Sequence, residues 1–411
     1  MKTKIFCAAL VLSAFIACSC SSKRNDNYVK VGILHSMTGA MAASELSVIN
    51  AEKMAIEEIN SRGGVLGKKI KIVQEDGQSN AETFGSKARK LYVVDKVATI
   101  FGCWTSASRK AAREAVEQPD IYGLLWYPLQ YEGMEASPNI MYIGSAPNQQ
   151  VVPAITFCFE NFGKRMYLVG SDYVFPRTTN KIIHAQLNAL GGTVVGEEYR
   201  PLDSTNFSDV VRDIAQKRPD IIINTINGDS NKSFFAQLRQ VGITPKDIPV
   251  MSFSVSEEEA RFIGPEFCEG HFVTWSYFQS VASFQNKTFV KRYKDMYGQD
   301  KLVGDPMEAA YTAVHLWALA CEKAGSFDTE AVRIAAKGLT FDAPEGLVKI
   351  DGENQHLQKK IRIGRINAEG MIDTIWESPN AIKPDPYLST YAWAKGIQRN
   401  KPALRGGSQR D

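Results

Sequence analysis

Ile100-Phe101-Gly102-Cys103-Trp104-Thr105-Ser106-Ala107-Ser108-Arg109-Lys110-Ala111 is the stretch from which the rest of this 411-residue chain can be read. A short apolar run ends at Gly102, turn-forming residues follow, and an Ala-rich segment bearing Arg109 and Lys110 begins. The pattern is strand, turn, helix start. Thr105 and Ser106 suit the turn because their oxygens accept from the free N–H groups of a helix's first turn, which leaves other N–H groups pointing outward. In an open α/β sheet, ligands bind beyond the C-terminal ends of the strands, so a carbonyl or carboxylate fits here. The plainer reading of the same residues is a helix cap beside a partly buried Trp104.

Towards the N-terminus, residues 28–34 read as a buried strand, followed by the hydroxyl-rich turn His35-Ser36-Met37-Thr38-Gly39. Over residues 47–60, Val48, Ala51, Ala55 and Ile59 recur at helical spacing, with Glu52, Glu57 and Glu58 on the other side, until Gly63-Gly64 stops the helix. Residues 63–69 lack the glycine spacing and the Ser/Thr of a phosphate-binding loop and read as a turn. Residues 69–74 form a second strand, 81–95 a second helix, and 98–101 lead into the opening stretch. Residues 121–126 are the next strand, which delivers Tyr127-Pro128-Leu129-Gln130-Tyr131-Glu132-Gly133 to the edge that carries Trp104. Such alternation predicts a doubly wound parallel sheet.

The loop 146–150 can act as a crossover, after which the pattern restarts. Strands at 165–170, 220–224 and 249–252 end in Ser171-Asp172-Tyr173-Val174-Phe175-Pro176-Arg177, in Thr225-Ile226-Asn227-Gly228-Asp229-Ser230 and in Phe253-Ser254-Val255. The fold class expected is therefore α/β, with two doubly wound parallel-sheet lobes, a hinge and a cleft between them. The expected division is 28–148 plus 278–345 for the first lobe, 149–277 plus 346–395 for the second, and 396–411 as a tail. Asp305 and Glu308, spaced as a capping box around Pro306, predict a helix through Leu319 whose Tyr311, His315 and Trp317 pack.

Composition supports a soluble globular body: 44% hydrophobic, 23% charged, net charge +3. No basic run interleaved with aromatics is present, which argues against nucleic acid as a partner. Lys2 and Lys4 precede the apolar run 5–17, which is too short for a mature span and reads as an export signal ending in Phe15-Ile16-Ala17-Cys18-Ser19-Cys20. Small residues before a Cys resemble a lipoprotein cleavage site. Residues 1–17 are then the signal, Cys18 (alternatively Cys20) the lipidated residue, 18–27 a tether, and the protein is anchored to a bacterial membrane at the periplasm or cell surface. Cys103, Cys158, Cys268 and Cys321 stand singly, so buried free thiols are expected.

His35, His184, His271, His315 and His356 lie far apart and none has metal-ligand spacing. No nucleophile elbow or dinucleotide fingerprint occurs, and Cys103 has no His placed beside it by a motif. Binding, without catalysis, cofactor or metal, is the expectation.

From Val29 to about Tyr391 the chain resembles the type I periplasmic binding proteins of the branched-chain amino-acid and amide-binding group. The carrying motifs are Val-Gly-Ile-Leu-His-Ser at 31–36, Phe-Gly-Cys-Trp-Thr-Ser-Ala-Ser-Arg-Lys at 101–110, Tyr-Pro-Leu-Gln-Tyr-Glu-Gly at 127–133, Gly-Ser-Asp-Tyr-Val-Phe-Pro-Arg at 170–177, Asn-Gly-Asp-Ser at 227–230 and Asp-Pro-Met-Glu-Ala-Ala-Tyr at 305–311. Within the group they are most similar to the urea-binding members that serve bacterial urea ABC transporters. Cytoplasmic amide sensors share several motifs, but they lack the export signal and have Tyr and Thr-Pro where this chain has Trp104 and Leu129-Gln130. The resemblance implies urea or a similar small amide as ligand, permease subunits as partners, and trapping by lobe closure. Urea is planar, with four N–H donors and one oxygen. Ser106 with its backbone N–H, and Thr105 beside it, suit the oxygen, and Gln130, Asn227 and Asp229 can accept from the nitrogens. Trp104, Tyr127, Tyr173 and Phe175 can wall the faces, and Ser254 is a further candidate. A branched-chain amino acid as ligand and an exported amidohydrolase are the alternatives.

Overall fold

A computed structural model describes residues 27–397; the export segment, Cys18 and Cys20, and the tail from 398 onward lie outside the described residues. β1 (Tyr28–His35), β2 (Lys69–Asp76), β3 (Ile100–Gly102), β4 (Leu125–Tyr127) and β5 (Ile140–Tyr142) form a parallel sheet in the order β2-β1-β3-β4-β5. Between them run α1 (Ala42–Ser61), α2 (Ala81–Val93) and α3 (Ser106–Val116). The winding reverses between β1 and β3, because β1 pairs with β2 on one side and β3 on the other. A crevice opens at the C-terminal edge of such a switch point, and the loops after β1 and β3 flank it here.

β6 (Arg165–Ser171), β7 (Thr193–Arg200), β8 (Ile221–Thr225), β9 (Val250–Ser252) and β10 (Phe272–Trp275) begin the second sheet. The chain then makes a small antiparallel sheet of β11 (Thr340–Ala343), β12 (Gly346–Ile350) and β13 (Leu357–Gln358). It returns through β14 (Arg362–Ile366) and β15 (Ile372–Glu377) to give the order β15-β14-β10-β9-β8-β6-β7. This sheet is parallel except at one edge, where β14 and β15 pair antiparallel. Its own switch point falls between β6 and β8.

The segments that cross between the sheets are tied side by side. Ser145 and Ser276 share a hydrogen bond of 2.7 Å, Arg362 donates to the carbonyls of Ser276 and Glu345, and Lys359 pairs with Glu345 at 2.9 Å. Asp305 belongs to this junction. Its carboxylate accepts from the N–H groups of Ser276 (2.9 Å) and Tyr277 (3.0 Å), and Glu308 accepts from the Glu345 N–H at 3.3 Å. The helix Asp305–Ala324 therefore starts as expected, but these two acids brace neighbouring segments instead of forming the capping box.

Three local readings change. The expected strand 121–126 shrinks to β4, because Tyr122 sits at φ 42° in a turn. The crossover loop 146–150 is already helical from Pro147 (Pro147–Asn161). Glu52, assigned to the solvent side of α1, is fully buried. Cys103, Cys158, Cys268 and Cys321 are free and buried, and no helix among the described residues is long and apolar enough to cross a membrane.

Candidate functional site

The turn after β3 is set by backbone geometry. Gly102 has φ 149°, and a Cβ there would lie 2.0 Å from the carbonyl oxygen of Leu34, so only glycine lets β3 pass β1 this closely. Cys103 follows at φ 68°, a left-handed conformation that costs a side-chain-bearing residue about 1–2 kcal/mol, and its N–H donates to Leu34 at 2.9 Å. The chain is thereby turned so that Thr105 caps α3, accepting from the Ser108 N–H at 3.0 Å. The N–H groups of Ser106 and Ala107, in the first helical turn, have no acceptor within the helix.

A cavity of about 60 Å³ lies at this point. The start of α1 gives it Met41 and Glu45, the start of α2 gives Ala81 with Ser79 just before it, and the start of α3 gives Thr105, Ala107 and Ser108. Tyr173 and Leu202 cover it from the second sheet. Partial positive charge from helix N-termini converges here, which suits a ligand oxygen.

Of the residues expected to bind, Thr105 and Tyr173 line this cavity. Others join the lobes beside it. The Trp104 indole N–H donates to Asn227 Oδ1 at 3.4 Å, and the Gln130 amide donates to the Phe253 carbonyl at 2.9 Å and reaches Ser254 Oγ at 3.5 Å. Tyr127 supports Trp104 from behind, its hydroxyl donating to the Trp104 carbonyl at 2.7 Å. Phe175 is buried at the start of the helix Val174–Ala189 and does not line the cavity. Asp229 is exposed at the start of the helix Ser230–Gln240 and does not line it either.

The Ser106 hydroxyl also has a different task from the one expected. It donates to Glu132 Oε2 at 2.6 Å, and Ser106 is not among the residues that line the cavity. Glu132 is held in turn by Arg109, whose Nη2 lies 2.7 Å from both Glu132 and Glu135 and whose Nη1 lies 3.0 Å from Glu132. The guanidinium stands 5.0 Å from the ring centroids of Tyr127 and Tyr131. Burial opposes the charge on Glu132, but Arg109 and Ser106 outweigh it and keep the carboxyl below its ordinary range. The network is buried and fixes the back of α3 against the loop that carries Gln130.

Sequence reasoning missed a second buried group, at the end of β1. His35 Nδ1 is 2.9 Å from Glu45 Oε2, and its Nε2 is 3.0 Å from Glu52 Oε1. The Ser36 N–H donates to the same Glu45 oxygen at 2.9 Å. Burial disfavours a charged imidazole, yet Glu52 and Glu45 more than reverse that, and the His35 pKa rises to about 10. A signal was present in the sequence: Glu45 and Glu52 are seven residues apart, and Glu52 is in phase with Val48, Ala55 and Ile59.

Residues 29–392 match the family described as the periplasmic binding protein domain. The chain belongs to that family. A Leu/Ile/Val-binding protein homolog of Brucella melitensis biotype 1 is 24% identical over 377 residues, which cover 86% of this chain and 92% of the relative. Among solved structures, a solute-binding protein of an ABC transporter from Rhodopseudomonas palustris HaA2, in complex with p-hydroxybenzoic acid, superposes with a TM-score of 0.78 at 23% identity, over 88% of this chain and 100% of that one. A leucine-binding protein from Thermotoga maritima MSB8 gives 0.74 at 23% identity, over 85% and 98%. The binding protein thus has the type I fold, and its cavity sits between the two lobes. A larger groove of about 730 Å³, lined by His184, Asn188 and Trp393, contains none of the residues described above.

Proposed function

We propose that this binding protein captures urea, or an amide of the same size, between its lobes and hands it unchanged to the permease of an ABC transporter. In this reading it works outside the cytoplasm, anchored through Cys18 or, alternatively, Cys20. The observation that carries the ligand assignment is the cavity: about 60 Å³, lined by hydroxyls, three helix starts and one carboxylate, and by no Lys or Arg. A water molecule's share of liquid volume is about 30 Å³, so the space suits a ligand of a few heavy atoms. The amino acids and hydroxybenzoate named for the relatives are larger and carry a carboxylate, for which this lining holds no basic partner.

Magnitudes fit a capture protein. At a ceiling of about 1.5 kcal/mol per heavy atom, a ligand of urea's size gains roughly 6 kcal/mol, or tens of micromolar. Hydrolysis has no support from Cys103, whose thiol is buried and pushed well above its usual range by that burial. The relatives' names favour a branched-chain amino acid as the second reading.

Titration calorimetry with urea, acetamide, formamide, leucine and 4-hydroxybenzoate, with an ammonia assay in parallel, tests the proposal. Heat from urea or the short amides, none from the acids, and no ammonia is the expected outcome. Tight leucine binding without urea binding overturns the ligand, and released ammonia overturns the mechanism.

A further inference from the structure

We propose that Glu45 is the residue that makes the cleft select an amide: its Oε1 accepts an N–H from the ligand while the start of α3 donates to the ligand's oxygen. The inference rests on the small-amide reading above and deepens it.

Glu45 is only 1% exposed and borders the cavity. Its Oε2 is saturated by the His35 imidazole and the Ser36 N–H, both at 2.9 Å, whereas no described residue donates to Oε1. Oε1 is not among the polar atoms closed off without a partner, so it keeps open surface where Glu45 borders the cavity, and an entering N–H can donate to it. The carboxylate is also fixed in state and direction. His35 faces a carboxylate from each ring nitrogen, and ionised carboxylates only accept, so the arrangement that satisfies both contacts is an imidazolium donating twice. Glu45 is therefore an anion clamped by two donors, with one oxygen left for the cavity.

Across the cavity, Thr105, Ala107 and Ser108 mark the first turn of α3, where backbone N–H groups are free. One wall donates and the other accepts. A carbonyl oxygen and an N–H nitrogen bonded to one carbon, as in an amide or a urea, meet both walls across so small a space. A carboxylate of the same shape sets an anionic oxygen against Glu45, so charge repulsion joins the lost hydrogen bond.

The test is calorimetry of the full chain and its Glu45→Gln variant with urea, acetamide and acetate, with melting curves to verify folding. Wild type should bind urea, and should prefer acetamide to acetate by at least about tenfold. In Glu45→Gln, urea affinity should fall by about ten- to hundredfold and the preference over acetate should narrow. Glu45→Asp, which keeps the charge but draws the oxygen back by one methylene, should also bind urea more weakly and still discriminate against acetate. A folded Glu45→Gln with urea affinity and acetamide preference unchanged overturns the assignment and leaves the small-amide reading intact. If Glu45→Gln does not fold, Glu45→Asp with undiminished affinity overturns it. Wild type that binds neither urea nor acetamide sinks both.

Discussion

The His35 group predicts an alkaline weakness that can be sized from the structure. A buried imidazolium between two carboxylates has its pKa raised to about 10, against 6.5 in an unfolded chain. A raised folded-state value means that the stabilisation is fully present below pH 6.5 and is lost as pH rises through 10. At about 1.4 kcal/mol per unit, the whole effect is of order 5 kcal/mol, and the part lost between pH 7 and pH 9 is about 2–3 kcal/mol. His35→Gln keeps a hydrogen-bonding side chain but cannot titrate. Guanidinium chloride unfolding of both proteins at half-unit steps from pH 6.5 to 9.5 isolates the term, since other groups cancel in the difference. The stability gap should shrink steadily with pH, by about one proton's slope above pH 7. A gap that stays constant across that range refutes the charged-imidazole reasoning and, with it, the clamp on Glu45.

Gly102→Ala places a methyl 2.0 Å from the Leu34 carbonyl in a backbone closed to other residues. It should cost at least about 2 kcal/mol and displace Thr105, read as a lower melting temperature together with lost ligand heat. Arg109→Met leaves buried Glu132 and Glu135 with the more distant Lys110, at 3.9 and 3.5 Å, as their remaining cation, an expected loss of about 3 kcal/mol at pH 7.5. The wild-type Glu132 pKa is depressed, so its contribution is present above the unfolded value and lost in acid; the penalty of the variant should be smaller at pH 5, as denaturant titrations will show. Gln130→Ala removes a neutral buried bond between the lobes. A loss of about 1 kcal/mol from the closed state alone weakens apparent affinity about fivefold, and small-angle scattering should report a wider molecule.

The fold was largely legible because its interior strands are continuous apolar runs that alternate with helices. Sequence reading places β1, β2, β6 and β8 within two residues of the observed ends. It does not find β7, whose residues are almost all half-buried, or β5, which is three residues long. β14 and β15 return antiparallel after a long excursion, so nothing local announces which sheet they join. At the site, Gly102, Thr105 and Tyr173 could be anticipated from turn chemistry and from their place after a strand. For Glu45 and Glu52 the spacing and phase mark a shared, inward helix face, but not what they meet there, because His35 is on another element.

On the proposed small-amide reading, the missed residues explain how a site for an uncharged ligand can sit among buried ions. Two groups flank the cavity's donor wall: Arg109 with Glu132 and Glu135 behind α3, and His35 with Glu45 and Glu52 beside α1. The His35 group sets two carboxylates against one buried cation and so carries an excess of negative charge, whereas Lys110, 3.5 Å from Glu135 and 3.9 Å from Glu132, gives the Arg109 group a second cation. That excess lies next to three helix N-termini, whose partial positive charges together offset it. The field left inside the cavity is then strongly dipolar with little net charge. Such a field orients a carbonyl and an amino group and gives no advantage to a carboxylate. Ligand selection on this view comes from how buried charges cancel, with the hydroxyls supplying direction, and removing either cation should alter which ligands bind before it alters how many groups touch them.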